Sequence, residues 1–231
     1  MIHTPPTAVP EPGPEYLAST RYFDCDSAPI REFARAATAG AASDRDRAVK
    51  LFYAVRDGWR YDPFCLRLTP EEYVASNVHA AGRGYCITKA ILLVAAARAA
   101  GVPAAIGLSD VVNHLTTAKL RERMGGKSYF IDHAYAAFHV DGQWVKAVPA
   151  FNIELCRRFG VRPTEFDGRG DALYQEYDAH DRRHMEYMKH HGMWSDFPFA
   201  RVDADFRAFY PPSTYGEADP GERFEDGAPE R

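Results

Sequence analysis

Cys86 stands in Gly82-Arg83-Gly84-Tyr85-Cys86, directly ahead of a long apolar, alanine-rich run. Forty-seven residues later, Asp132-His133 opens the stretch His133-Ala-Tyr-Ala-Ala-Phe-His-Val140. A thiol at a helix start and an imidazole on a later strand can make a thiolate nucleophile and its base. The unpaired N–H groups and positive dipole end of the helix favour the charged sulfur, and a nearby imidazolium favours it further. Gly82 and Gly84 let the backbone turn sharply and let a substrate come close. The Cys86 N–H, with one from the preceding loop, is expected to hold a developing oxyanion. The pairing therefore names thiol-based acyl transfer, with Cys86 expected to titrate below an ordinary thiol. The plainer alternative is a small buried residue opening a core helix, as free cysteines usually are, and a satisfied histidine at a strand end.

The elements around the pair follow from periodicity and punctuation. Residues 28–39 and 44–58 read as helices, the second capped at Ser43-Asp44 and carrying Ala48, Leu51, Phe52 and Val55 at helical spacing. Thr69-Pro-Glu-Glu predicts a short helix over 69–76. Residues 86–100 are apolar nearly all round, the pattern of a central buried helix, and Gly101 with Pro103 stops it. A short strand over 104–109 and a helix over 115–124 come next. Residues 129–140 and 143–149 then read as a hairpin turning at Asp141-Gly142. That turn pairs His139 with Trp144, Phe138 with Val145, Tyr135 with Val148 and His133 with Ala150, which puts His133, Tyr135, Ala137 and His139 on one face. Helices first and strands later predict an α+β fold. The expected organisation is a proline-rich tail over 1–15, a single domain over 16–210 and a loose tail over 211–231.

Bulk properties narrow the function classes. The chain has 231 residues, 46% hydrophobic and 26% charged, with formal net charge −4, which fits one globular domain and gives no reason to expect a nucleic-acid partner. No apolar run reaches membrane-spanning length, and the N-terminus lacks the basic start and apolar core of a secretion signal. The four cysteines, Cys25, Cys65, Cys86 and Cys156, are far apart, which argues against a structural zinc site or a disulfide framework. The expected compartment is the cytoplasm, with thiols reduced.

At these residues the sequence resembles the transglutaminase-like superfamily of bacterial proteins over roughly residues 44–155. The likeness rests on Val55-Arg-Asp-Gly-Trp-Arg-Tyr61, Gly84-Tyr85-Cys86 before Lys89-Ala-Ile-Leu-Leu93, and Arg98-Ala-Ala-Gly-Val-Pro-Ala104. It continues through His133-Ala134-Tyr135 and Trp144-Val-Lys-Ala-Val-Pro149. The resemblance implies a papain-like α+β fold, a central helix packed on an antiparallel sheet, Cys86 as nucleophile and His133 as base. Members include proteases, amidases, peptide-modifying transferases and amide-forming enzymes, and some are inactive. The family usually carries an aspartate just before the proline that follows the Trp strand; here that position is Val148, which cannot orient an imidazole. Asn152 is the expected substitute, with a loop-capping role as its alternative. Tyr85 and Tyr135 are expected to contact substrate, together with Asp110 and His114 of Asp110-Val-Val-Asn-His114. A solvated loop is the alternative for that last segment.

His184-Met-Glu-Tyr-Met-Lys-His190-His191 is the densest histidine cluster; on a helix His184 and His191 would share a face, but the spacing matches no zinc motif, and no metal or cofactor is expected. Most of the aromatic C-terminal third is expected to pack on the core, with a few rings lining a cleft over Cys86. The sequence thus points to cysteine-dependent acyl transfer on a peptide, protein or small-molecule amide or acyl substrate, with neither nucleic acid nor membrane as partner. The alternative is a decayed transglutaminase-like binding module.

Overall fold

The computed structural model describes residues 12–113, 116–173, 185–216 and 223–227. The first half is helical: α1 (Ala28–Ala37), α2 (Asp44–Gly58), the short strand β1 (Arg60–Tyr61), α3 (Ala75–Ala81), the short strand β2 (Arg83–Gly84) and α4 (Cys86–Ala99). The second half carries β3 (Ala104–Asn113), α5 (Ala118–Arg123), β4 (Tyr129–Val140), β5 (Gln143–Ala147), α6 (Ile153–Phe159), β6 (Met185–Trp194) and α7 (Phe199–Phe209). This is the expected α+β class, with a central buried helix on an antiparallel sheet. No helix among the described residues is long and apolar enough to cross a membrane.

Local chemistry explains the helices. Ser43 Oγ accepts the Asp46 N–H at 3.1 Å, and Ala48, Leu51, Phe52 and Val55 form the buried stripe of α2. α4 is buried from Cys86 to Arg98 because α1, α2 and α3 cover one side and β4 the other. It stops where Gly101 takes φ +80° and the Val102 N–H returns to the Ala97 carbonyl at 2.9 Å. Arg98 then ties the helix end to the carbonyls of Ala104, Ala18 and Ser195.

The four-stranded sheet has the order β5-β4-β3-β6, antiparallel throughout. The hairpin forms the expected pairs His139–Trp144 and Phe138–Val145, and both turn residues take positive φ, Asp141 at +51° and Gly142 at +78°. The expected pairs Tyr135–Val148 and His133–Ala150 do not form. β5 ends at Ala147, and the Val148 N–H turns away to the Ala172 carbonyl at 3.0 Å.

Other expectations are corrected. β3 runs on to Asn113, because β6 extends its edge and β4 its other side. The 69–76 segment divides into a 3₁₀ turn over Pro70–Tyr73 and α3. The histidine-rich stretch is strand, not helix: Glu186, Tyr187, Lys189 and His190 pair with β3, a tertiary contact that overrides helical spacing. His184 lies outside the described residues. The segment after 211 is also not uniformly loose: Thr214 and Phe224 are buried, and Phe224 stacks on Phe159 at 5.3 Å.

Candidate active site

Two short strands set the start of the Cys86 helix. β1 and β2 pair in parallel, and the buried Asp62 carboxylate holds Arg60 and Arg83 at 3.1 Å each. Gly84 is required by closeness rather than by φ: a Cβ there would stand 2.5 Å from Thr88 Oγ1. The Tyr85 N–H donates to that same hydroxyl at 3.0 Å and so does not serve as the loop donor expected for an oxyanion.

Cys86 at the head of α4 and His133 on β4 line one small cavity of about 40 Å³, with Tyr61, Tyr85, Phe206 and Tyr210 among its walls. The expected meeting of helix start and strand is therefore formed. Among the described residues, no Asp, Glu, Lys or Arg lines this cavity. Cys86 is 9% exposed and His133 4%. Burial pushes the Cys86 thiol up to about 12, against the opposing pull of N–H groups from Ala134, Ile87 and Cys86 itself. Burial alone pulls His133 down to about 3. Burial thus opposes both charged forms, the thiolate of Cys86 and the imidazolium of His133. Loss of water outweighs the helix terminus when both groups are this deeply enclosed.

The remaining site residues separate. Asn152 does not serve the histidine: its Oδ1 accepts the Tyr61 N–H at 3.1 Å and its Nδ2 donates to Glu154 Oε2 at 3.0 Å, at the N-cap of α6. The side chain makes no cap bond to α6 itself; it braces the Tyr61 backbone instead, and Asn152 reaches the cavity only through Tyr61. Val148 is 1% exposed, an apolar occupant of the position where the family usually has aspartate. Tyr85 does line the cavity, its hydroxyl bonded to Tyr73 at 2.8 Å. Tyr135 does not: its ring lies over Gly107, with the Lys146 ammonium 5.6 Å from the ring centre. Asp110 is neither at this cavity nor in a solvated loop; it sits buried in β3, accepting from the Asp132 N–H and the Tyr129 hydroxyl. His114 lies outside the described residues.

Three wall residues were not assigned to the site from the sequence: Tyr61, Phe206 and Tyr210. Phe206 and Tyr210 belong to the C-terminal aromatic cluster, and Tyr61 closes the Val55–Tyr61 motif. Tyr210 accepts the Ile131 N–H at 2.9 Å, which fastens the end of α7 two residues from His133.

The sequence model of the Transglutaminase-like superfamily matches residues 31–149, a span holding Cys86, His133 and Val148. The chain belongs to the transglutaminase-like superfamily. Among solved structures, one similar chain comes from Cytophaga hutchinsonii and is provisionally described as a cysteine protease, at 15% identity and TM-score 0.44. The alignment covers 78% of this chain and 53% of that one, so the chain spans about half the length of that relative. No curated protein matches.

Proposed function

We propose that the protein is a cysteine-dependent acyl-transfer enzyme, with Cys86 as nucleophile and His133 as base, acting on a peptide, protein or small-molecule amide or ester. One observation carries this reading: thiol and imidazole face a single cavity at the head of the central helix. As Cys86 Sγ bonds to the carbonyl carbon, its proton passes to the imidazole, and the oxyanion meets the Cys86 N–H. The imidazolium returns that proton to the leaving amine or alcohol as the C–N or C–O bond breaks. His133 then deprotonates water or an amine, which resolves the thioester. A cavity of about 40 Å³ holds no substrate, so Phe206 and Tyr210 must move aside first. Admitting substrate and solvent brings the thiol down and the imidazole up, toward values that favour proton transfer. The apolar walls fit an uncharged acyl group.

Two observations favour a second reading, a decayed binding module: Val148 in the usual aspartate position, and the neutral pair. Alkylation of Cys86 by iodoacetamide against pH, mapped by peptide mass, separates the two. Wild type should react slowly at neutral pH. Tyr210→Ala, which opens the cavity, should react at least tenfold faster, and that gain should vanish when His133→Ala is added. Cys86→Ala should abolish turnover of p-nitrophenyl acyl esters without shifting the melting temperature. A thiol that stays ordinary in Tyr210→Ala and ignores His133 supports the binding module instead.

A further inference from the structure

On the far side of His133, three strands carry coincident irregularities. Between β3 and β4 the register skips from Ser109–His133 to Val111–Phe130, leaving Ile131 and Asp132 opposite Asp110. Between β3 and β6 it skips from Leu108–Gly192 to Ser109–His190, leaving His191 as the extra residue. Bulges re-aim side chains, and here they turn Asp110, Asp132 and His191 toward one point: one ligand atom from each lies within 4.8 Å of the others. Ligands about 2.1 Å from a metal stand no more than about 4.2 Å apart, so closing this set takes only a small adjustment.

Asp132 supplies the independent sign of a missing partner. It is 1% exposed, and its Oδ2 is buried without a hydrogen-bond partner. Arg201, Asp205 and His191 all stand near that carboxyl, and two neighbouring carboxylates ionise together only with a cation between or beside them. A cavity of about 470 Å³ lined by Asp110, Asp132, His191, Asp205, Lys189 and Arg201 gives an entry path. Arg201 is the counter-ion in the structure, bonded to Asp132 Oδ1 at 3.1 Å and Asp205 Oδ2 at 3.2 Å. His191 Nε2 lies 2.8 Å from Asp110 Oδ1.

We propose that Asp110, Asp132 and His191, with Asp205 as a fourth donor, bind a divalent first-row cation in a cavity separate from that of Cys86, the two sharing only Ile131 among their lining residues. Two or three carboxylate oxygens and one imidazole make a mixed set of the kind that holds Mn²⁺ or Zn²⁺. The ion replaces the proton between His191 Nε2 and Asp110, and displaces Arg201 from Asp132. It thereby becomes the charge that fixes the Asp132-His133 corner. The site does not depend on the acyl-transfer reading.

Mn²⁺ is the probe, because the four thiols compete for Zn²⁺ but not for Mn²⁺. Chelator-treated full-length chain is dialysed against Mn²⁺, and bound metal is counted by elemental analysis and by the loss of the free-ion EPR signal. The expected result is one Mn²⁺ per chain, with affinity falling at least tenfold in His191→Gln and in Asp132→Asn. Arg201→Gln should melt below wild type without metal, then gain more from Mn²⁺ than wild type does, because the ion takes over the guanidinium's charge. Because the His191 side chain is 12% exposed against 1% for Asp132, His191→Gln keeps the test usable if Asp132→Asn fails to fold. No Mn²⁺ retained, or equal retention in His191→Gln, overturns the proposal and leaves a proton-shared ion-pair network.

Discussion

Lys89 and Cys86 lie three residues apart on α4, and they show two ways a polar group survives in a dry interior. Lys89 is fully buried and donates to the carbonyls of Arg56, Trp59 and Ala150 at 2.8, 2.6 and 2.8 Å. An ammonium has three N–H donors and no acceptor, so three carbonyls satisfy it completely. Burial pulls its pKa down to about 7, with the charge of Asp57 opposing that pull. Lys89 therefore ties α4, the helix that Cys86 opens, to the end of α2 and to the chain after β5. Replacing it by methionine of similar length leaves three buried carbonyls without donors, each costing about 1 kcal/mol or more. Lys89→Met should thus lose about 3 kcal/mol in urea denaturation, and an unchanged midpoint would show that water already reaches these carbonyls. Cys86 meets only backbone N–H groups, which burial outweighs, so the uncharged thiol is favoured. The pairing of Cys86 with His133 was legible because residue type and spacing carry it. The charge state was not, since it depends on walls supplied by residues more than a hundred positions away. Asn152 misled for a related reason: strand parity placed it beside His133, but the strand had already ended.

At the scale of elements, close approach of side chain to backbone decides as much as periodicity. Gly107 in the middle of β3 faces Tyr135 of β4, and a Cβ at Gly107 would stand 2.0 Å from the ring. The glycine is there so that a whole phenol ring can lie across the strand. Gly107→Ala should therefore destabilise by about 1–3 kcal/mol, the usual cost of overpacking. In a Tyr135→Ala background the same substitution should cost close to nothing, because the clashing ring is gone. A cycle with independent costs would mean that the ring does not lie over Gly107. The limits of α2, α4 and the β4–β5 hairpin were readable because caps, stops and a two-residue turn are local signals. The extension of β3, the strand character of β6 and the coincident bulges were not. Each depends on pairing between segments tens of residues apart, and the pattern of a single segment does not encode which neighbour it meets.

For the whole molecule, enclosing a neutral thiol and a neutral imidazole in one cavity shapes stability across the pH range. His133 is held near 3 in the fold, against 6.5 for the free side chain. Below 6.5 the unfolded chain binds a proton that the fold refuses, so stability is full above 6.5 and falls as pH drops toward 3. Cys86 is held near 12, against 9.0 for the free thiol. Above 9 the unfolded chain releases a proton that the fold keeps, so stability falls as pH rises toward 12. Each loss is of the order of 4 kcal/mol when complete. Asp132, raised to about 6, works against the acid loss, but it is common to wild type and variants and cancels in a difference. Urea midpoints measured from pH 4 to 10 should show His133→Gln gaining on wild type only on the acid side, and Cys86→Ala only on the alkaline side. Curves that stay parallel would mean that solvent already enters the cavity in the free protein. Phe206 and Tyr210 would then be standing open before any substrate arrives, and the site would need no opening step to react.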